Sequence, residues 1–195
     1  MNKSINTPLY WNLITTVRSG FLALNETAQN EILKFIKSQQ NDKGGFVDRA
    51  GMSDLYYSLF GLWLSLATEQ IEIQNKLKHF ITNINNSMSK SPVEDLALLL
   101  IKSELDSNHK KRSVFSIIKT VLNKGRMIEL SYQFFLISLV IDAVGRNKSL
   151  YYFFARIWLF FYKPSGNIPC SLNAALVYAR KILGLNTQNM QKKLE

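Results

Sequence analysis

Proton-transfer chemistry needs a carboxylic acid or an imidazole held at a fixed place, and this 195-residue chain offers few candidates. Asp54 opens the apolar segment "DLYYSLFGLWLSLA", and Glu94 and Asp95 follow "SP" at the head of another. These three are the candidate catalytic acids. Each also stands where a helix should begin, and a carboxylate there is favoured by the free N–H groups of the first turn. Asp54, His79, His109 and Cys170 are the scattered metal-ligand candidates, but their spacing fits no metal template, so no metal site is expected. A phosphate-binding Gly-Lys loop, a nucleophile elbow, a dinucleotide fingerprint and paired Cys-x-x-Cys are all absent, and no cofactor is expected.

A second set suits binding. Tyr10, Trp11, Tyr56, Tyr57, Phe60, Trp63 and Tyr132 lie on predicted apolar helices and could line a cavity for an apolar ligand. Aromatic faces also attract cations. Arg49 near a loop start, and Asn173 at the head of a late helix, complete the candidate ligand contacts. Lys43, Arg126 and Arg146 occupy similar loop positions.

Helices must position these residues. Apolar residues recur at three- and four-residue spacing, predicting helices over 8–22, 28–40, 53–67, 69–85, 92–104, 112–123, 128–144, 148–162 and 171–183. Ser53 and Ser91 read as N-caps, Pro92 suits a first helical position, and Gly125, Gly145 and Gly184 mark helix ends. No strand is expected, and the fold class is all-α. Leu9, Leu55, Leu96, Leu130 and Leu172 open similar helices at spacings of 46, 41, 34 and 42 residues. Helices stamped "ILKFI", "LKHFI" and "VFSII" lie between them. A period near 40 is that of stacked helix pairs. One class, 53–67 and 128–144, is apolar nearly all round. The other carries lysines at intervals, as a helix with one wet face should.

Composition agrees with a folded chain: 47% hydrophobic residues, nine glycines and four prolines. The net charge of +10 has no continuous basic stripe, so no nucleic-acid partner is expected. One cysteine suits a reducing compartment. The first 20 residues lack the pattern of a secretory signal, and a cytoplasmic location is expected. The aromatic segment 149–163 is short for a membrane span and suggests at most peripheral membrane contact.

The stretch 24–66, "LNETAQNEILKFIKSQQNDKGGFVDRAGMSDLYYSLFGLWLSL", resembles a repeat of protein prenyltransferase β subunits and of the squalene and terpenoid cyclases. Gln40, Asn41, Gly44, Gly45, Phe46, Gly51, Asp54, Tyr57 and Leu62 fall in register with that repeat. The resemblance is good over about 60 residues. It implies an α/α toroid of inner and outer helices around an apolar cavity, residues 1–185 forming one helical-repeat domain and 186–195 a polar tail. A full toroid needs about six helix pairs and this chain supplies four to five. An open arc, a smaller ring, or a ring completed by a partner protein or a second copy all remain open.

The resemblance also sets limits. The prenyltransferases hold zinc through an Asp-x-Cys, and here Tyr56 stands at the cysteine position. The Asp-x-Asp-Asp acid of the cyclases is absent too. The expected function is therefore an isoprenoid-binding relative of these enzymes. The alternative is a non-catalytic helical-repeat module that binds a peptide or partner protein.

Overall fold

A helix that is apolar nearly all round has to be covered on most sides, and the segment that opens at Leu55 is. The computed structural model describes residues 10–84, 91–105 and 170–188, with isolated positions between 138 and 160. Its described helices are α1 (Trp11–Leu22), α2 (Glu26–Ser38), α3 (Leu55–Ala67), α4 (Ile71–Asn83), α5 (Pro92–Leu105) and α6 (Cys170–Ile182). Among the described residues there is no strand, only two isolated antiparallel bridges, Gln40 with Phe46 and Val47 with Ser53. The all-α expectation holds. The helices expected over 112–123 and 128–144, together with Tyr132, His109, Arg126 and Arg146, lie wholly or largely outside the described residues, as does most of 148–162. No described helix is long and apolar enough to cross a membrane.

The chain divides into two compact units, Met1–His109 and Lys110–Glu195. In the first, α3 is the hub: it packs on α1, α2, α4 and α5. Leu55, Leu59, Leu62, Trp63 and Ala67 are all buried. Each large aliphatic side chain so removed from water contributes roughly 1.5–3 kcal/mol. α2 and α4 have the one-sided pattern expected of them. α4 buries Ile73, Leu77, Phe80 and Ile81 and exposes Lys76, Lys78 and His79. On the wet side Glu72 bonds Lys76 at 3.0 Å and lies 4.0 Å from Lys37 of α2. The Lys76 hydrogen bond, helped by both ammonium charges, holds the Glu72 carboxyl below its ordinary value.

The turn between α2 and α3 is tied at nearly every residue. Gln40 Nε2 donates to the carbonyls of Gly44 (2.9 Å) and of Ile73 on α4 (3.0 Å). Asn41 accepts from the Gly45 N–H and donates to Ser53 Oγ. Asp48 closes a small loop by accepting from the N–H groups of Ala50 and Met52. Gly44 has φ +91°, and a Cβ there would lie 2.3 Å from the Lys76 carbonyl oxygen, so only glycine lets the turn meet α4 this closely. Phe46, buried with Ile36 and Ile73, presses its ring on Gly61, where an added Cβ would sit 2.4 Å from it. The Phe46 N–H donates to buried Ser58 Oγ at 3.0 Å. The turn is thus a plug between α2, α3 and α4, locked by side chains whose spacing is visible in the sequence.

Helix starts follow their caps, with one correction. Ser91 and Glu94 form a reciprocal box, Ser91 Oγ accepting from the Glu94 N–H and Glu94 Oε2 from the Ser91 N–H. At α3 the cap is Asp54, not Ser53: Asp54 Oδ1 accepts from the Tyr57 N–H at 2.8 Å. The Ser53 hydroxyl is taken by Asn41 instead.

The second unit is described around α6. Leu176, Ala179 and Leu183 form a core with Leu159, against which Leu172 and Leu185 pack. Arg180 Nη1 donates to the Leu159 carbonyl at 2.7 Å. Gly184, at φ +66°, ends the helix where expected.

Candidate functional site

On α3, Tyr56, Phe60 and Trp63 fall at i, i+4 and i+7, so one helix face carries all three rings. The rings touch in sequence. Tyr56 meets Phe60 edge-to-face at 4.9 Å, and Phe60 meets Trp63 the same way at 5.4 Å. Trp63 then stacks on Tyr10, at the head of α1, with centroids 5.8 Å apart. Tyr10 ends the row by donating its hydroxyl to Glu104 at the end of α5. The row runs from half-buried Tyr56 and Phe60 to Trp63 and Tyr10, which are 5% and 2% exposed. It therefore joins the head of α1 to α3 through aromatic contacts that add to their area burial, and reaches α5 through the Glu104 hydrogen bond. Tyr57 leans edge-on against Tyr56 and is 44% exposed.

Of the candidates for ligand contact, Tyr10, Tyr56 and Phe60 are brought together, with Tyr57 at the outer end. Trp11 is half-buried in the first turn of α1. Arg49 is exposed in the loop before α3. Asn173 is buried on α6 in the second unit, and the same unit holds a Tyr178 hydroxyl that donates to buried Asp142 at 3.2 Å. Glu104 was not among the candidates. It lies 94 residues from Tyr10 in sequence, and no local pattern announces the pairing.

The candidate acids serve helix starts. Asp54 caps α3 and Glu94 closes its box with Ser91. Asp95 lies in the first turn of α5, half-buried, with its N–H donating to the Ser91 carbonyl. A capping role has its own signature. Asp54→Ala is expected to cost about 1 kcal/mol and Asp54→Asn much less, because the amide oxygen still accepts the Tyr57 N–H. Urea unfolding of the two variants measures the difference. Equal losses would mean that the charge, rather than the acceptor, matters at this position.

A separate concavity of about 640 Å³ lies between the 41–53 turn and the last turn of α4. Met52, Phe80 and Ile84 supply its apolar wall, and Lys43, Ser53, His79 and Asn83 are among its polar groups. His79 is exposed on α4, with Asn83 Nδ2 3.2 Å from its ring nitrogens. Among the described residues no group of three or more His, Cys, Asp or Glu is placed to hold a metal ion.

Comparison with protein-family models, curated proteins and solved structures gives no match.

Proposed function

We propose that this chain is a helical-repeat relative of the prenyltransferases and terpenoid cyclases. In this reading it binds an apolar, isoprenoid ligand and uses neither their zinc nor their acid chemistry. The odd-numbered helices of the first unit are the inner layer of an α/α array, and α2 and α4 are the outer one. Packing of α3 against both α1 and α5 supports that arrangement. The array is an open arc or is completed by a partner protein or a second copy, and the location is cytoplasmic.

One observation carries the ligand reading: the aromatic row Tyr56–Phe60–Trp63–Tyr10, graded from half-buried to buried along one face of α3. A prenyl chain is a string of methyl-branched alkenes. Such a chain gains dispersion and burial from ring faces, and needs few hydrogen bonds. The acids point the same way. Asp54 and Glu94 each accept backbone N–H groups at a helix start, which is a structural task.

Thermal unfolding with farnesol, farnesyl diphosphate and a farnesene hydrocarbon tests the reading. A ligand at a hundred times its Kd adds about 2.7 kcal/mol, a rise of roughly 5–10 °C for a chain of this size. Phe60→Ala, a change at a half-buried ring, should cut the affinity about tenfold while the free protein still melts cooperatively. No shift with any of the three sinks the reading. The second reading, peptide or partner binding, draws on the concavity beside Lys43 and His79. A protein that ignores all isoprenoids, yet holds a stoichiometric partner released by Lys43→Glu, belongs to it.

A further inference from the structure

The polar end of the aromatic row holds two devices that differ in one respect. The Tyr10 hydroxyl has a partner, since it donates to Glu104. Beside it, the indole N–H of Trp63 has no hydrogen-bond partner among the described residues, although the atom is shut off from water and the side chain is 95% buried. Buried N–H donors in folded proteins are almost always satisfied, because stripping water from one without replacement is costly. Phenylalanine or leucine at position 63 would fill an apolar helix face without that cost. Tryptophan contributes something more, a donor with no acceptor capacity of its own. The donor sits in the stack of Tyr10 and Phe60, at the meeting of α1, α3 and α5.

We propose that the Trp63 Nε1–H is the anchor for an acceptor oxygen at one end of the bound apolar molecule, so that the preferred ligand is an oxygenated isoprenoid (an ester, ketone or ether) and not a pure hydrocarbon. This inference rests on the apolar-ligand reading given above. An ether or carbonyl oxygen accepts one hydrogen bond and brings no charge. It suits a buried donor in an aromatic surround better than a phosphate, whose desolvation a single N–H does not offset. The hydrocarbon tail then lies along Phe60 and Tyr56 toward the half-buried end of the row.

The test compares farnesyl acetate with a farnesene of the same chain length, on the full chain and on a version carrying 3-benzothienyl-alanine at position 63. That residue keeps the two-ring shape and replaces only the N–H. The wild-type protein is expected to bind the acetate about tenfold more tightly than the hydrocarbon, and the substituted protein to bind both alike. Without ligand the substituted protein should melt at the same temperature or a few degrees higher, since an unsatisfied donor has gone. Equal binding of the two probes by the wild type overturns the anchor and leaves the apolar-ligand reading standing. So does a clear loss of ligand-free stability on substitution, which would mean that the fold itself uses the donor. Binding of neither probe overturns both.

Discussion

Phe46→Ala is expected to destabilise the protein by about 3–5 kcal/mol, the range for emptying a large buried aromatic site. The reason is specific to the turn. Phe46 fills the space between Ile36 of α2, Gly61 of α3 and Ile73 of α4, so its removal opens a void where three helices meet. The partner change works from the other side. Gly61→Ala puts a methyl 2.4 Å from the Phe46 ring, which must then move or the helices must part. That overpacking should cost about 1–3 kcal/mol. The two losses are not additive. With Phe46 already reduced to alanine, Gly61→Ala meets no ring and should cost far less, a coupling of about 1 kcal/mol or more in a double-mutant cycle. Denaturant unfolding of the four proteins checks it. Strict additivity would show that the ring does not rest on Gly61.

Gly44→Ala should cost about 2–4 kcal/mol through two effects that act together. The backbone there is left-handed at φ +91°, which a side chain resists by about 1–2 kcal/mol. The new Cβ also lies 2.3 Å from the Lys76 carbonyl, which belongs to a helix and cannot swing aside as a side chain would. Gly51 provides the control. Its φ is +78°, but its Cβ would meet nothing within 4 Å, so Gly51→Ala should carry the backbone cost alone. Comparing the urea midpoints of the two variants separates strain from collision. If both lose the same stability, the turn does not press on α4.

These two positions also show why the turn was legible. Its work is done by residue types with narrow uses: two glycines, an aromatic between them and the next helix, and the carboxamides of Gln40 and Asn41 just before them. Gln40 was recognised by its place in the motif, but its double duty to Gly44 and to Ile73 on α4 was not, since Ile73 is 33 residues away. The cap of α3 shows a finer failure. Ser53 and Asp54 are both good cap formers and adjacent, so propensity cannot choose between them. The choice falls to Asn41, which reaches across the turn and occupies the Ser53 hydroxyl. Likewise the rings of α3 were visible as an apolar helix with aromatics at helical spacing. Their order of contact, and their ending on Tyr10 and Glu104, depends on how α1 and α5 lie against α3.

From the sequence alone came the all-α class, the nearly all-round apolar character of the helix after Asp54, and the wet faces of α2 and α4. All of these rest on local spacing and on what single residue types allow. Tertiary structure decided the rest: that Phe46 seats on Gly61, that Asn41 takes the Ser53 hydroxyl, that Glu104 meets Tyr10, and that the Trp63 N–H is left without a partner among the described residues. The physical reason is range. Periodicity and capping act over three or four residues, whereas a hydrogen bond across 94 residues, or a donor that packing cuts off from water, exists only once the helices have met.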